Sequence, residues 1–261
     1  MVPTLIKELL SSKPDGRKVT VCGWVRTVRD SKNLVFIQVN DGSCFYNIQL
    51  TFDRNEPSKN ADIAQIEEEL KKLSTGASLR AEGIIIKSPA SGQAVEVTLE
   101  KLTCLGQCKP EEYPLQKNKM SMEYLRANAH LRARTNTFGA VYRVRNQMAY
   151  AIHTFFQERG FQYINAPEIT CSDCEGAGEM FQVTTLSMEK IAEMGVKAGQ
   201  NGMKIEDAHK IVDYSKDFFG KKANLTVSGQ LEAETMATAL SRVYTFGPTF
   251  RAENSNTPRH L

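Results

Sequence analysis

Near the end of the sequence, Arg251 has a guanidinium that could bind a phosphate and a carboxylate, and an acidic residue, Glu253, follows two positions later. The segment Thr249-Phe-Arg-Ala-Glu253 predicts a strand, and residues two apart on a strand share one face. A planar guanidinium can contact a phosphate and a carboxylate together. Arg259 and His260 follow after a polar loop. Taken alone, an Arg-x-Glu pair is more simply explained as a surface ion pair, so its meaning depends on context.

The six cysteines offer a second possible chemistry, metal binding. The spacings Cys104-x-x-x-Cys108 and Cys171-x-x-Cys174 would supply four thiolates, the ligand set of a structural zinc site. Neither pair lies in the tight turn of a zinc knuckle, and nothing else in the sequence indicates secretion and disulfide formation. We therefore interpret the cysteines as reduced thiols and predict no metal site among them.

The composition narrows the classes of function. Of the 261 residues, 41% are hydrophobic and 24% are charged, and the formal net charge is +3, as in an ordinary globular protein. A nucleic-acid partner would therefore have to be bound by a local patch. No stretch approaches the roughly 18–20 apolar residues of a membrane span, and the first residues lack the apolar run of a signal peptide. We expect a cytoplasmic protein that does not enter a membrane.

The elements that must position these residues begin with short strands and turns between Lys18 and Leu105. Five segments have the period of strands and one has the period of a helix; in order they are strands Val19–Val25, Leu34–Val39 and Phe45–Phe52, a helix from Ile63 to Leu73, and strands Ser78–Ile86 and Ala94–Leu99. Three strands, a helix and two strands is the order of a five-stranded OB barrel, with a small sandwich as the alternative. We predict a barrel domain over residues 1–105.

Residues 106–134 predict a linker, and residues 135–261 predict part of a second domain. The linker contains six basic residues: Lys109, Lys117, Lys119, Arg126, Arg132 and Arg134. Such a run fits either a solvated linker or a hinge beside an RNA backbone. In the second domain we predict a helix from Thr135 or Asn136 to Arg159 with an apolar stripe that includes Val144 and Met148, a strand from Phe161 to Ile169 and a helix from Leu231 to Ser241. Strands that mix with long helices without strict alternation indicate an α+β fold. It contains no G-x-G-x-x-G motif and no P-loop, and residues from about 186 to 216 predict a partly helical insertion.

Several stretches together resemble the class II aminoacyl-tRNA synthetases. The Arg251-x-Glu253 strand, its loop and Arg259-His260 are similar to motif 2 of that class. The helix that ends at Gly160 and the strand to Pro167 are similar to motif 1, whose Pro lies at a dimer interface. Further stretches resemble the aspartate–asparagine–lysine subgroup, and within it the asparagine-specific members: Gly23–Asp30, His130–Thr135, Glu175–Phe181, Thr226–Leu231 and Tyr244–Leu261. The resemblance covers nearly the whole chain.

This resemblance implies an OB barrel followed by the first part of an antiparallel-sheet catalytic domain. It also implies asparagine–tRNA ligase activity, in which ATP activates asparagine for transfer to tRNA-Asn. In that role, Arg251 would be catalytic and would contact both the ATP α-phosphate and the amino-acid carboxylate. Glu253 would face the adenine, and Arg259 and His260 would complete the ATP site.

For the amino acid, the resemblance places Glu175 on a mobile loop, where it would bind the substrate ammonium. The small residues Gly176–Gly178 would let this loop close. Gln230 would also hold the amino acid. Aspartate enzymes have a Lys three residues after the matching Gln, whereas this chain has Ala233 followed by Glu234. A carboxylate accepts a hydrogen bond from the asparagine amide and repels aspartate; the alternative is that Glu234 is a solvent-facing helix residue.

In the barrel, the resemblance assigns anticodon binding to two residues. Phe36 would stack on an unpaired base and Gln49 would bind a base edge. Arg26 and Arg29 are further candidates for anticodon binding, through phosphate. The alternatives are that Phe36 is a core aromatic of an alternating strand and that Arg26 is an ordinary surface charge.

The sequence departs from the family pattern at Leu261, inside motif 2. The returning strand, motif 3 and the expected Mg²⁺ ligands would all follow that point, so we expect no adenylate formation by these 261 residues alone. The longer protein would be a homodimer. Aspartate–tRNA ligase and a non-catalytic tRNA- or partner-binding paralogue remain as alternatives. An asparagine synthetase-like paralogue is a third, although such proteins typically have no anticodon barrel.

Overall fold

The computed structural model describes residues 2–89, 92–115, 120–173, 176 and 179–253, except the side chain of residue 208. The predicted site residues Glu175, Arg259 and His260 lie outside this described part, as do Cys174 and two of the loop residues after Gly176. By contact density the chain divides into two compact units, residues 1–146 and 147–261. The division falls inside one helix, and the predicted domain boundaries at 105 and 134 stay predictions.

The first unit contains a closed five-stranded barrel with strand order β1-β2-β3-β5-β4, so the predicted OB barrel is confirmed. In chain order its elements are α1 (Ile6–Leu10), β1 (Lys18–Asp30), β2 (Leu34–Asn40), β3 (Ile48–Asp53), α2 (Ile63–Leu70), β4 (Ser78–Lys87) and β5 (Val95–Gly106). The barrel closes through a parallel pairing of β3 with β5, in which Leu50 lies opposite Val97. All other neighbouring strands are antiparallel.

The barrel core follows from the two-residue period of its strands. On β2, Val35, Ile37 and Val39 are fully buried, while Phe36 and Gln38 between them are only partly buried. Ile66 and Leu70 of α2 join the same core cluster, because the three- and four-residue spacing of Ile63, Ile66 and Leu70 gives that helix one apolar face. Each buried aliphatic side chain stabilises the fold by about 1.5–3 kcal/mol.

Register shifts interrupt the regular pairing of the barrel at three places. On β1 the register shifts between Val25 and Thr27, which leaves Arg26 as the extra residue. In the pairing of β4 with β5 it shifts between Ser78 and Leu79 and again between Glu82 and Gly83. A Cβ atom at Gly83 would lie 2.1 Å from the carbonyl oxygen of Thr98, so only glycine fits there.

The barrel is followed by α3 (Met122–Ala127), a 3₁₀ turn (Arg132–Arg134) and the long helix α4 (Asn136–Gln157). The predicted helix is therefore confirmed. Its predicted apolar stripe is not covered by other described residues: Val144 is 61% exposed and Met148 is 57% exposed. The helical period was correct, but burial depends on a partner surface that periodicity does not supply.

The second unit contains short strands and two further helices. After α4 come β6 (Gln162–Ile164), β7 (Ile169–Thr170), β8 (Gln182–Val183), α5 (Met188–Gln200), β9 (Ala223–Leu225), α6 (Gln230–Leu240) and β10 (Val243–Thr245). β10 pairs with β6 in parallel, and β9 lies between β7 and β8. None of the described helices is long and apolar enough to cross a membrane.

Two strand predictions in this unit were wrong in detail. The strand predicted from Phe161 to Ile169 divides into β6 and β7, because Asn165–Glu168 form no ladder between them; Pro167 in this segment has no N–H to donate. Thr249–Glu253 is not a regular strand. Its N–H groups bond to two separate segments, Thr226 and Glu179, so no continuous ladder forms in the described residues.

The predicted insertion is partly helical, as expected, with α5 followed by 3₁₀ turns at Ile205–Ile211 and Tyr214–Lys216. Asp217, which follows the insertion, binds Thr184 and Thr185, which precede it. The carboxylate accepts hydrogen bonds from the Thr184 hydroxyl (2.6 Å), the Thr185 hydroxyl (2.8 Å) and the Thr185 and Phe218 N–H groups (2.9 and 2.8 Å). These bonds stabilise the charged form and hold the pKa of Asp217 well below its usual range.

Candidate functional site

The outer face of β1, β2 and β3 brings together three of the predicted anticodon-binding residues. Phe36 lies directly opposite Arg29 on β1, and Gln38 lies opposite Gln49 on β3. Since residues opposite each other, and residues two apart, share a face of the sheet, Arg29, Phe36, Gln38 and Gln49 form one surface, here called the outer β1–β3 face. Phe36 points away from the core, so its interpretation as a core aromatic is excluded.

A buried carboxylate fixes the orientation of Gln49. Glu96 on β5 is 5% exposed, and its Oε2 accepts hydrogen bonds from Gln49 Nε2 (3.2 Å), Ser88 Oγ (3.0 Å) and Gln93 Nε2 (3.2 Å). Because a carboxylate only accepts, the Gln49 amide must turn its nitrogen toward Glu96. The amide oxygen is then directed elsewhere, as a fixed acceptor on the outer β1–β3 face.

Sequence reasoning missed Glu96, although one signal was present. Glu96 lies between Val95 and Val97 at a polar position of the alternating strand, which places its side chain on the face opposite to the core. Glu96 reaches Gln49 because β3 pairs with β5 where the barrel closes. The period of a strand does not reveal which distant strand will pair with it.

Arg26 lies apart from the outer β1–β3 face. As the extra residue of the β1 bulge, it is aimed away from its neighbours, which is a common effect of bulges. Its guanidinium donates to the carbonyl oxygen of Arg134 (2.5 Å) and to Asn136 Oδ1 (3.1 Å). Arg26 therefore links the barrel to the start of α4, and its predicted contact with an anticodon phosphate stays a prediction.

In the second unit, main-chain hydrogen bonds bring three predicted site segments together. Phe250 N donates to Thr226 O (2.9 Å), and Ala252 N donates to Glu179 O (3.1 Å). Arg251 therefore lies between the segment that leads into α6 and the segment that follows the Glu175 loop. Arg251 and Glu253 are both exposed. Because the Arg-x-Glu segment is exposed and bounded by these two stretches, a ligand could contact all three.

The start of α6 places Gln230 and Glu234 on one helix face. Gln230 Nε2 donates to Glu234 Oε1 at 2.6 Å, one turn further on. Gly229 precedes the helix, and a Cβ there would lie 3.0 Å from Thr245 Cγ2 and 3.1 Å from Ala166 Cβ. This close packing fixes the start of α6 against β10. Both Gln230 and Glu234 are exposed, which is compatible with a ligand site and with a plain solvent-facing surface.

The cysteines do not gather in the described part of the chain. Cys104 and Cys108 are half-buried near α2, and Cys171 is exposed. Burial raises the pKa of the Cys104 thiol. Among the described residues no three His, Cys, Asp or Glu side chains cluster as a metal site requires.

Comparison with known proteins matches both units. Residues 19–105 match the family described as OB-fold nucleic acid binding domain. Residues 121–261 match the family described as tRNA synthetases class II (D, K and N), which is more than half of the chain. The chain belongs to the class II tRNA synthetases of the D, K and N group. The fold and the family expected from motifs 1 and 2 are therefore confirmed.

Among curated relatives, this class II synthetase chain is similar to proteins named asparagine–tRNA ligase. It is 61% identical to that of Treponema denticola over 98% of this chain and 52% of the relative. It is 52% identical to that of Parabacteroides distasonis over 99% of this chain and 51% of the relative. The chain spans about half the length of the curated relatives it matches.

Among solved structures, the chain is similar to asparaginyl-tRNA synthetase from Pyrococcus horikoshii complexed with asparaginyl-adenylate. The TM-score is 0.74 at 24% identity, over 100% of this chain and 51% of that protein. At this identity the similarity shows the fold only.

Proposed function

We propose that this chain forms part of an asparagine–tRNA ligase, in which the barrel binds the anticodon of tRNA-Asn and the second unit binds asparagine and ATP. The observation that carries the proposal is the outer β1–β3 face. There an outward-facing Phe36 on β2 lies diagonally across from Gln49 on β3, whose amide is held by a buried carboxylate. The high identity to proteins named asparagine–tRNA ligase supports the same choice.

The outer β1–β3 face has the parts that an unpaired base requires. The ring of Phe36 offers a stacking surface. The fixed Gln49 amide offers hydrogen bonds to a base edge, and a correctly placed pair of such bonds is worth about 1–3 kcal/mol of discrimination. Arg29, directly opposite Phe36 and exposed, supplies positive charge for a phosphate.

The selection of asparagine is assigned to Glu234, with Gln230 beside it. In the free chain Glu234 already accepts a hydrogen bond from a primary amide, that of Gln230. The asparagine side chain carries the same group, so it can replace or share this interaction. The aspartate carboxylate has no N–H to donate and would be repelled. A site built for a donor rejects an isostere that lacks it, because the acceptor loses its hydrogen bond once the ligand has excluded water.

ATP binding is assigned to Arg251 and Glu253, together with Arg259 and His260 outside the described residues. Arg251 would contact the α-phosphate and the substrate carboxylate, which brings the nucleophile and the phosphorus together. Glu175, also outside the described residues, is assigned to the substrate ammonium. Mg²⁺ would help neutralise the phosphates of ATP, but the described residues contain no cluster suited to it, and no residue is assigned to it. A homodimer and a cytoplasmic location are part of the proposal.

The test is filter binding of this chain to transcripts of tRNA-Asn, of tRNA-Asn with a mutated anticodon, and of tRNA-Asp. Tighter binding to native tRNA-Asn than to the other two would support the proposal. Equal and equally salt-sensitive binding to all three would mean that only backbone electrostatics act, and the assignments of Phe36 and Gln49 would be withdrawn. Preference for tRNA-Asp would favour an aspartate–tRNA ligase.

A further inference from the structure

A cleft of about 310 Å³ lies between the barrel and the beginning of α4, entirely within the first unit. Its walls come from β1, from the β2–β3 connection and from residues 133–143. Trp24, the only tryptophan of the chain, lines it and is 46% exposed. A second cleft of about 350 Å³ shares Arg26, Asn47 and Arg134 with the first. We call the two together the arginine cleft.

The lining of the arginine cleft is positively charged. Arg26, Arg134 and Arg143 line it, and no Asp or Glu is among the described residues that do. None of the three arginines forms an ion pair within the described part of the chain. The carboxylate of the adjacent Asp41 already accepts hydrogen bonds from the Ile6 N–H and from the N–H and hydroxyl of Ser43. Three guanidinium groups without a counter-charge favour an anion.

The three arginines have different tasks. Arg143 donates to the carbonyl oxygens of Gly42 and Cys44, both at 3.0 Å, and Arg26 donates to the carbonyl of Arg134. These bonds shape the walls, but carbonyls leave the positive charge in place. Arg134 has its main chain fixed by Arg26, while its exposed guanidinium lies 5.9 Å from the centre of the Trp24 ring. It is a positioned cation at the surface of the cleft.

The arginine cleft is continuous with the outer β1–β3 face. Gln38 lines the second cleft and lies directly opposite Gln49. Along β2, Asn40 in the first cleft is four residues from Phe36, a distance of about 13 Å at roughly 3.3 Å per residue. The first cleft therefore begins about 13 Å along β2 from Phe36, a distance that a short stretch of RNA backbone can span.

We propose that the arginine cleft binds the phosphate backbone of the tRNA next to the anticodon, with Arg134 as its main phosphate contact. This inference rests on the proposed function, since it assumes a bound tRNA. It adds a binding site that carries no base specificity: phosphate contacts position the RNA, whereas base contacts select it.

The experiment compares Arg134→Gln, the charge-preserving Arg134→Lys and a matched control, Lys101→Gln, in the whole chain. Lys101 is exposed on β5, lies opposite Glu82 of β4 in the sheet register, and does not line the cleft. Affinity for an anticodon stem–loop RNA is measured at several salt concentrations, for native and mutated anticodons. Trp24 fluorescence reports occupation of the cleft, and a parallel titration uses inorganic pyrophosphate.

We expect Arg134→Gln to weaken binding about tenfold for both anticodons and to reduce the salt slope by about 1. Arg134→Lys should restore most of the slope, and Lys101→Gln should stay within about twofold of the unsubstituted chain. RNA should change Trp24 fluorescence, and this change should need Arg134.

Two outcomes overturn the inference. If Arg134→Gln behaves like Lys101→Gln while binding stays anticodon-dependent, the cleft is not a phosphate site and the proposed function stands. If pyrophosphate binds tightly through Arg134 and RNA affinity does not depend on that residue, the cleft serves a free phosphate compound. An Arg134 effect without any anticodon dependence would keep the cleft as a phosphate site and remove the proposed function.

Discussion

At the scale of single residues, the outward ring of Phe36 is the clearest candidate for a contact with RNA. Replacement by alanine removes a stacking surface worth about 1–3 kcal/mol per base. We therefore expect Phe36→Ala to weaken tRNA binding about ten- to hundredfold without changing its salt dependence. The matched control is Tyr46→Ala, which removes an aromatic that is 71% exposed outside that face. Equal losses in both variants would contradict a specific role for Phe36.

Glu96 should act through Gln49 rather than by charge. Glu96→Gln replaces an obligatory acceptor with an amide, so the Gln49 side chain can turn over. We expect discrimination between native and mutated anticodons to fall about tenfold, in line with a lost base-edge contact, while the salt slope is unchanged. The measurement is the ratio of two dissociation constants, with Glu82→Gln on β4 as control. A uniform loss of affinity with the ratio intact would refute the positioning role.

At the scale of elements, Arg54 ties β1, the β1–β2 turn and α2 to the end of β3. It makes a two-bond contact with Glu67 (2.6 and 3.1 Å) and also contacts Asp30 (2.8 Å) and Ser31 O. The carboxylates raise the pKa of Arg54. Because its side chain is only 23% exposed, Arg54→Met should destabilise the barrel by about 1–3 kcal/mol.

The control for Arg54 is Arg17→Met, which breaks an ion pair with Asp15 in which both side chains are 47% exposed. Exposed pairs contribute little, so this variant should keep the denaturant midpoint of the unsubstituted chain. Fluorescence of Trp24 during denaturant unfolding measures both variants. Identical midpoints for the two would show that the Arg54 network adds nothing to stability.

Asp217 should make the attachment of the 186–216 insertion sensitive to acid. Its folded pKa is lowered because Thr184, Thr185 and Phe218 donate hydrogen bonds to the carboxylate. The stabilisation is therefore complete above the usual aspartate pKa of about 3.9 and is lost as the pH falls below it. Hydrogen exchange of the Thr185 and Phe218 amides, corrected for intrinsic rates, should show this loss.

Asp217→Asn should expose the same amides already at neutral pH and remove the acid dependence. An asparagine retains one acceptor oxygen but no charge, so it cannot hold all four donors equally well. Asp213→Asn is the control, because the Asp213 carboxylate binds only neighbouring residues of its own turn. Protection of the Thr185 amide that survives in Asp217→Asn would argue against the attachment.

At the scale of the whole molecule, the two units differ in their buried apolar side chains. The large core cluster lies wholly within the first unit, in the barrel and in the helices packed on it. Among the described residues of the second unit, only Ala223, Val227 and Tyr244 are buried hydrophobics. Large apolar side chains such as Tyr150 and Phe155 are 70% and 50% exposed there. Hydrophobic burial dominates stability, so the second unit should open first.

We predict two separate unfolding transitions. Trp24 reports the barrel, whereas α5 and α6 contribute helical circular dichroism from the second unit. The helical signal should therefore fall at a lower denaturant concentration than the Trp24 signal changes. A dye that binds apolar surface should be bound before either transition. Coincident transitions would show instead that the two units unfold as one cooperative system.

The sequence could predict those features that depend on local period and residue type. The order of strands around one helix indicated the OB barrel, and the resemblance made Phe36 a candidate for base stacking, although the sequence left open which face of β2 it occupies. The spacing of apolar residues also predicted the helices α4 and α6. The motifs around Arg251 and Gln230 indicated the family, because each is a short run in which several specific residue types occur in a specific order.

Only the tertiary structure decided which distant residues meet. Closure of the barrel placed Glu96 against Gln49, and the β1 bulge turned Arg26 toward α4 and formed the arginine cleft. The apolar stripe of α4 remained exposed although its period was read correctly. The physical reason is common to these cases: period and composition follow from interactions within a few residues, whereas register, bulges and burial depend on contacts between segments far apart in sequence.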